Sequence, residues 1–271
     1  MMKKDKRVVV IADIHQSHVA SATPPPYQLR EVPGAEDESI QRRNKFAQIE
    51  RKSWNWFSAK MKELQPIDLL IVNGDSIEGK GERSGGTELI SADRKDQVDM
   101  AVLFIKEANA KNVRMIRGTG YHTGIDEDWE DLIAKELDCK IGDHEWYDVN
   151  GVTFDCKHFM GNSVVPYGRG TAISREAVWN MLWQERELQP KSDIIVRSHV
   201  HWSFDCQGVR PGQRLFVTPA LQCLGGKFGG RRCSGTVDVG LIEFNISNKG
   251  DWGWKTHLMD MGFQAAIAER L

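Results

Sequence analysis

Asp13 and His15, then Asp75, then His158, then His199 and His201 recur in this order, most of them just after an apolar run. Carboxylate oxygens and imidazole nitrogens are the donors that divalent cations such as Zn²⁺ and Mn²⁺ take. Val8 to Ala12 leads into the first pair, Leu69 to Gly74 into Asp75, and Ile194 to Ser198 into the last pair. Each of these donors therefore falls on a loop held by the end of a strand. Hydrolysing a phosphate ester needs a nucleophile at neutral pH, neutralisation of charge on the phosphoryl oxygens, and a proton for the leaving oxygen. Two divalent ions held about 3.5–4 Å apart meet the first two needs, by acidifying a shared water and clamping the in-line transition state. Asp75 is the carboxylate best suited to bridge them, because Gly74 beside it permits close backbone approach. Taken singly, a histidine at a strand end reads as a hydrogen-bonded structural residue. The ordered set of six reads as a metal centre.

The elements that must position these donors follow from periodicity. Alternation of apolar strands with helical patterns predicts a layered α/β fold, with two mixed sheets face to face and helices outside. Ile40, Phe46, Ile49, Trp56 or Phe57, Met61 and Leu64 recur at helical spacing and predict a long helix over 37–64, ended by Pro66. Val98, Val102, Ile105 and Ala108 line a second helix, and 126–137 and 174–188 read as two more. Asn150-Gly151 between Trp146–Val149 and Val152–Phe154 predicts a hairpin. Further strands are expected at 193–197, 202–206, 214–217, 236–246 and 252–258. Residues 76–93 read as a Gly-rich loop. Residues 16–36, with Pro24-Pro25-Pro26 and no period, read as an extended insertion leaving directly from Asp13 and His15. It is either a lid over the site or a surface insertion.

The chain has 271 residues, a length that a single α/β domain reaches, and no composition break divides it, so one domain over 1–271 is expected. A formal net charge of −2 provides no global field for nucleic acid or an anionic membrane, although a local basic groove is compatible with it. The basic opening, Lys3 to Arg7, precedes an apolar run too short for a signal peptide, which predicts a cytoplasmic protein without a membrane span. Cys139, Cys156, Cys206, Cys223 and Cys233 form no Cys-x-x-Cys pair and are expected to be free thiols rather than zinc ligands.

The blocks Asp13-Ile14-His15, Gly74-Asp75, Gly118-Thr119-Gly120-Tyr121-His122, His158 and Ser198-His199-Val200-His201, in this order and spacing, resemble those of the calcineurin-like metallophosphoesterases. The resemblance implies a four-layer α/β/β/α sandwich and a binuclear metal site that hydrolyses phosphate esters. It implies that Asp13, His15, Asp75 and His201 hold one ion, and that Asp75, His158 and His199 hold the second. Two divalent ions are implied as cofactors, Mn²⁺ first, with Fe, Zn or Ni as alternatives. The third block departs from the family pattern, which has Gly-Asn-His: Thr119 stands where the metal-binding asparagine is usual, and His122 comes two positions late. His122 is expected to act as the general acid on the leaving group, the alternative being that it is itself a ligand. Ser198 stands where glycine is usual, a change expected to be tolerated. The implied substrate is a phosphate ester, with a phosphodiester of a nucleotide or nucleic acid favoured over a monoester. A rival reading from another class is a scaffold that has kept the fold and lost catalysis.

Of the remaining candidates, His18, His144 and His257 read as ordinary surface or core residues, His18 alone lying where a phosphate is in reach. The segment Gly225 to Arg232 combines flexible backbone with Lys227, Arg231 and Arg232 and is either a phosphate-contacting loop or a solvated one. Most of the nine tryptophans are expected to pack the sheets.

Overall fold

Val8 and Val10 point one way from the first strand while Val9 and Ile11 point the other, and all four are fully buried. A strand covered on both faces must lie in the middle of a layered structure. A computed structural model describes residues 4–163, 165–225 and 236–260, apart from the side chain of Arg83. In chain order it comprises β1 (Lys6–Ile11), α1 (Glu38–Glu63), β2 (Leu69–Asn73), α2 (Arg94–Glu107), β3 (Val113–Ile116), α3 (Gly120–Thr123) and α4 (Trp129–Glu136). Then follow β4 (Lys140–Gly142), β5 (His144–Val149), β6 (Val152–Lys157), α5 (Arg169–Glu185), β7 (Ile194–Arg197), β8 (Phe204–Gln207), β9 (Arg214–Val217), β10 (Gly240–Ile246) and β11 (Trp252–Leu258).

The first sheet has the order β11-β10-β1-β2-β3-β4, and the second the order β5-β6-β7-β9-β8. Strands β1 to β4 run parallel, and β10 and β11 add antiparallel pairs at one edge. In the second sheet β6, β7 and β9 are parallel, flanked by antiparallel β5 and β8. Both sheets are mixed. Between them, Val8, Val10, Ile71 and Phe244 meet Phe154, Ile194, Val196 and Phe216. On the outer face of the first sheet Val9, Ile11, Leu70 and Val72 pack on Phe57 and Met61 of α1 and Phe104 of α2. On the outer face of the second, Ile195, Leu215 and Val217 pack on Ile173 and Ala177 of α5. The result is the α/β/β/α sandwich expected from the sequence. The parallel strands β1, β2 and β3 end at one edge of their sheet, and β6, β7 and β9 at one edge of theirs. Loops from both sheets meet there.

Several boundaries differ from the sequence reading. Helix α4 starts at Trp129 rather than 126, because the Asp128 side chain accepts the Glu130 amide and caps it. Helix α1 begins after Asp37, which caps it in the same way. Helix α5 starts five residues earlier than periodicity indicated, at Arg169, and β8 and β10 are shorter than expected. Strands β3 and β4 were not foreseen: at four and three residues, with Arg114 and Lys140 among them, they carry little alternation to read.

The first part of the insertion after β1 is packed into the fold rather than laid over the site or out on the surface. Residues 16–24 are buried without exception, and they bridge Ile77, Leu89 and Gln222 through Gln16, His18 and Ser21. Beyond Pro24 the segment runs along α1, where Asn44 accepts the Val32 amide and donates to the Val32 carbonyl, and the Glu50 carboxylate accepts the Leu29 amide. No helix among the described residues is long and apolar enough to cross a membrane. Four described cysteines are free, as expected, and the Cys233 reading lies outside the described residues.

A candidate two-metal centre

Asp13, His15, Asp75, His199 and His201 all have positive φ, between 48° and 79°. Left-handed backbone at a residue with a Cβ costs about 1–3 kcal/mol and persists only where the surroundings impose it. Five such residues at the ends of β1, β2 and β7 mark one strained edge. Neighbouring loops hold it together: the amides of Asp13 and His15 donate to the carbonyls of Gly74 and Asp75, and the His199 amide donates to Asp13 Oδ2. Two glycines make room. A Cβ on Gly74 would lie 2.4 Å from His158 Nδ1, and one on Gly118 would lie 2.1 Å from Asp75 Oδ1.

The six residues read from the sequence are brought together, with His122 among them. Donor atoms of Asp13, His15 and His201 lie within 4.8 Å of one another, and so do those of Asp75, His158 and His199. A third group of the same tightness joins His15, Asp75 and His122. No cysteine enters any of the three groups.

Tautomers follow from the partners. His158 Nδ1 donates to the Asn73 carbonyl at 2.6 Å, and His122 Nδ1 to the Glu78 carbonyl at 2.7 Å. A carbonyl oxygen only accepts, so both rings carry a proton on Nδ1. His15 Nδ1 donates to the Glu78 carboxylate at 2.9 Å. In the neutral rings Nε2 is then a lone pair. These lone pairs face carboxylates: His158 Nε2 lies 3.0 Å from Asp75 Oδ2, His122 Nε2 3.9 Å from the same oxygen, and His15 Nε2 3.8 Å from Asp13 Oδ1. Asp13 Oδ1 and His158 Nε2 are buried and make no hydrogen bond. Acceptors facing acceptors at these distances are satisfied by a positive charge between them, a proton or a metal ion. The donor set fits divalent ions that accept oxygen and nitrogen ligands.

The titration behaviour expresses the same demand. Burial would raise the carboxyl groups of Asp13 and Asp75, yet the facing histidines hold both below the ordinary range, His201 dominating at Asp13 and His158 at Asp75. Burial opposes charge on His15 and His158, but the facing Asp13 carboxylate and the hydrogen bond that His15 gives to Glu78 raise the first to about 10, and the charge of Asp75 raises the second to about 9. Protons thus substitute for the missing positive charge. His122 goes the other way, down to about 4, through burial and the neighbouring His15.

Three participants had no signal in the sequence reading. Glu78, held near a pKa of about 2 by His15 against its burial, orients His15 and His122. Glu130 is fully buried and accepts the amides of Ser76 and Gly118, tying the loops after β2 and β3 together; burial raises it to about 7. Asn73 donates to Ser198 Oγ, which also bonds Thr218, so Ser198 is knotted into the base of the site. Thr119 donates its amide to Asp75 Oδ1 at 2.6 Å, and its hydroxyl lies 3.2 Å from the same atom.

A cavity of about 500 Å³ opens from this centre, lined by His15, His122 and His201 together with Tyr121, Arg169 and Trp202. His18 lines it too, rather than being an ordinary core residue. Its Nδ1 accepts the Ala20 amide, so its proton sits on Nε2, which lies 3.7 Å from Glu88. His144 and His257 are structural, each paired with a buried acid, Asp155 and Glu243. The Lys227 to Arg232 reading lies outside the described residues.

No protein-family model matches this chain, and no curated protein matches it. Solved structures with a similar chain path include a hypothetical protein from Pyrococcus horikoshii, with 10% identity and a TM-score of 0.45, covering 94% of this chain and 89% of that one. Wild-type Vps29 complexed with zinc from Entamoeba histolytica matches at 12% identity and a TM-score of 0.42, covering 93% and 98%. NAD nucleotidase from Haemophilus influenzae matches at 10% and 0.43, covering 96% of this chain and 51% of that one. Likeness this distant transfers no chemistry to this chain.

Proposed function

We propose that this protein is a metal-dependent phosphoesterase of the calcineurin-like kind, acting on phosphodiesters. The observation that carries this reading is the convergence of His158 Nε2 and Asp13 Oδ1, buried and without hydrogen bonds, with the facing carboxylate of Asp75. Asp13, His15 and His201 would hold one divalent ion, His158 and His199 the other, and Asp75 both. Bound there, the ions supply Lewis-acid activation of water and neutralise the phosphoryl charge. Mn²⁺ is the proposed activating ion, with Fe, Zn and Ni also suited to carboxylate and imidazole donors.

The chain's own residues do the rest. Glu78 fixes the His15 ring so that Nε2 faces the centre, and Thr119 steadies Asp75 through amide and hydroxyl. His122 fits the ligand role better than the proton-donor role expected from the sequence, because its Nδ1 proton is committed to Glu78 and burial disfavours a second one. Protonation of the leaving oxygen then falls to water entering the cavity. Phe159, 55% exposed, sets its ring 4.9 Å from His199, where a planar substituent of a diester can stack.

The test is hydrolysis of bis(p-nitrophenyl) phosphate and p-nitrophenyl phosphate by chelator-stripped protein, with and without Mn²⁺, beside Asp75→Asn. Mn-dependent turnover that favours the diester and disappears in the variant is expected. Absence of turnover with every divalent ion would move the scaffold reading ahead.

A further inference from the structure

Arg169 is the one lysine or arginine among the described residues lining the cavity. Its guanidinium lies over the Trp202 ring, 5.1 Å from the centroid, and Nη1 donates to Thr236 Oγ1 at 2.9 Å. Trp202 is 3% exposed and follows His201 directly, and Arg169 lines the same cavity as His199 and His201, so this cation faces the space into which the centre opens. Thr236 belongs to the same assembly, since the amide of Asp238, two residues on, donates to the His201 carbonyl and its carboxylate accepts the Ser203 amide. Stacking occupies the π face of the guanidinium, and Thr236 takes one of five N–H groups. Among the described residues no carboxylate is paired with it. The remaining in-plane N–H groups form the fork that grips a phosphate in two places. Rotamer freedom is already spent on the indole, so capture of an anion costs little further ordering.

Resting on the function proposed above, we propose that Arg169 is a specificity-determining residue that binds a second phosphate, one nucleotide unit from the ester being cleaved. The preferred substrate is therefore a phosphodiester carrying another phosphate, such as an oligonucleotide or a 5′-phosphorylated dinucleotide, rather than an isolated diester.

The experiment compares kcat/KM for the thymidine dinucleotide TpT and for its 5′-phosphorylated form pTpT, in wild-type protein and in Arg169→Gln and Arg169→Lys, with Mn²⁺ present. A charge-assisted contact of this kind gives about a tenfold or greater preference for pTpT. The pTpT-to-TpT ratio should fall to about one in Arg169→Gln and be partly kept in Arg169→Lys. Because the ratio is taken within each variant, a partial folding defect cancels. A wild-type ratio near one, or a ratio retained in Arg169→Gln, overturns the proposal. Should neither dinucleotide nor bis(p-nitrophenyl) phosphate be cleaved with any divalent ion, the enzymatic reading fails by itself. Calorimetric binding of TpT and pTpT to the same three proteins then decides the role of Arg169 alone, by the same ratio.

Discussion

His15 and His158 hold their protons in the metal-free fold up to about pH 10 and 9, because Asp13, Glu78 and Asp75 demand positive charge. A cation that takes those positions must displace the protons. Both rings are protonated in the metal-free fold at pH 7, so uptake releases protons, and affinity falls as pH is lowered from 9 toward 6. Calorimetric titration of Mn²⁺ in two buffers of different ionisation enthalpy should show release of one to two protons per protein at pH 7. Uptake without proton release would show that both rings are already neutral at pH 7. At the same scale, Glu78→Ala frees the His15 ring, while His122 keeps its bond to the backbone carbonyl of residue 78, and it is expected to weaken Mn²⁺ binding by about 10-fold or more while the fold persists. Unchanged affinity would show that the His15 ring needs no orienting acid. The six donors were legible in the sequence because each is a metal-ligand type at a strand end. Glu78 and Glu130 were not, because an acidic residue in a loop looks the same whether it faces solvent or holds two buried amides.

Helix α1 and the segment laid along it carry a separate titration. Glu50 is buried in the middle of α1 and accepts the Leu29 amide, and its burial raises its pKa to about 8. An acid whose folded pKa lies above its unfolded value of 4.5 binds more protons in the fold, so its contribution is complete below pH 4.5 and is lost as pH rises through 8. Glu50→Gln should flatten that decline and raise Tm above pH 8 by at least about 2 °C relative to wild type. Thermal melts of both proteins from pH 5 to 9 would show it, and parallel curves would place the titration elsewhere. The sequence left the neighbouring insertion open between a lid and a surface segment for a comparable reason. Its prolines and lack of period are the same for a mobile lid as for a strand-like run buried between loops, and only the bridges of Gln16, His18 and Ser21 distinguish the two.

For the molecule as a whole, the insertion is structural in its first half. Deleting residues 20–34 removes Ala20 and Ala22, both fully buried, along with the Ser21 bridge to Gln222, and should lower Tm by roughly 5 °C or more, or abolish soluble folding. A stable deletion protein with only an altered substrate preference would restore the lid reading. The sequence by itself determined the layers and singled out the six candidate donors that the fold brings together. Apolar runs buried on both faces call for a sheet covered on both sides, and ligand types at successive strand ends survive as a pattern even without coordinates. Tertiary structure alone decided which side chains meet, that a donor atom of His122 comes within 4.8 Å of those of His15 and Asp75, and that Arg169 lies over Trp202 beside the same cavity. Those facts join residues tens to hundreds of positions apart, such as His15 and His201, whose rings lie 5.0 Å between centroids. Local periodicity reports which face of an element is buried. It does not report what lies across the gap, which is set by how the two sheets pack.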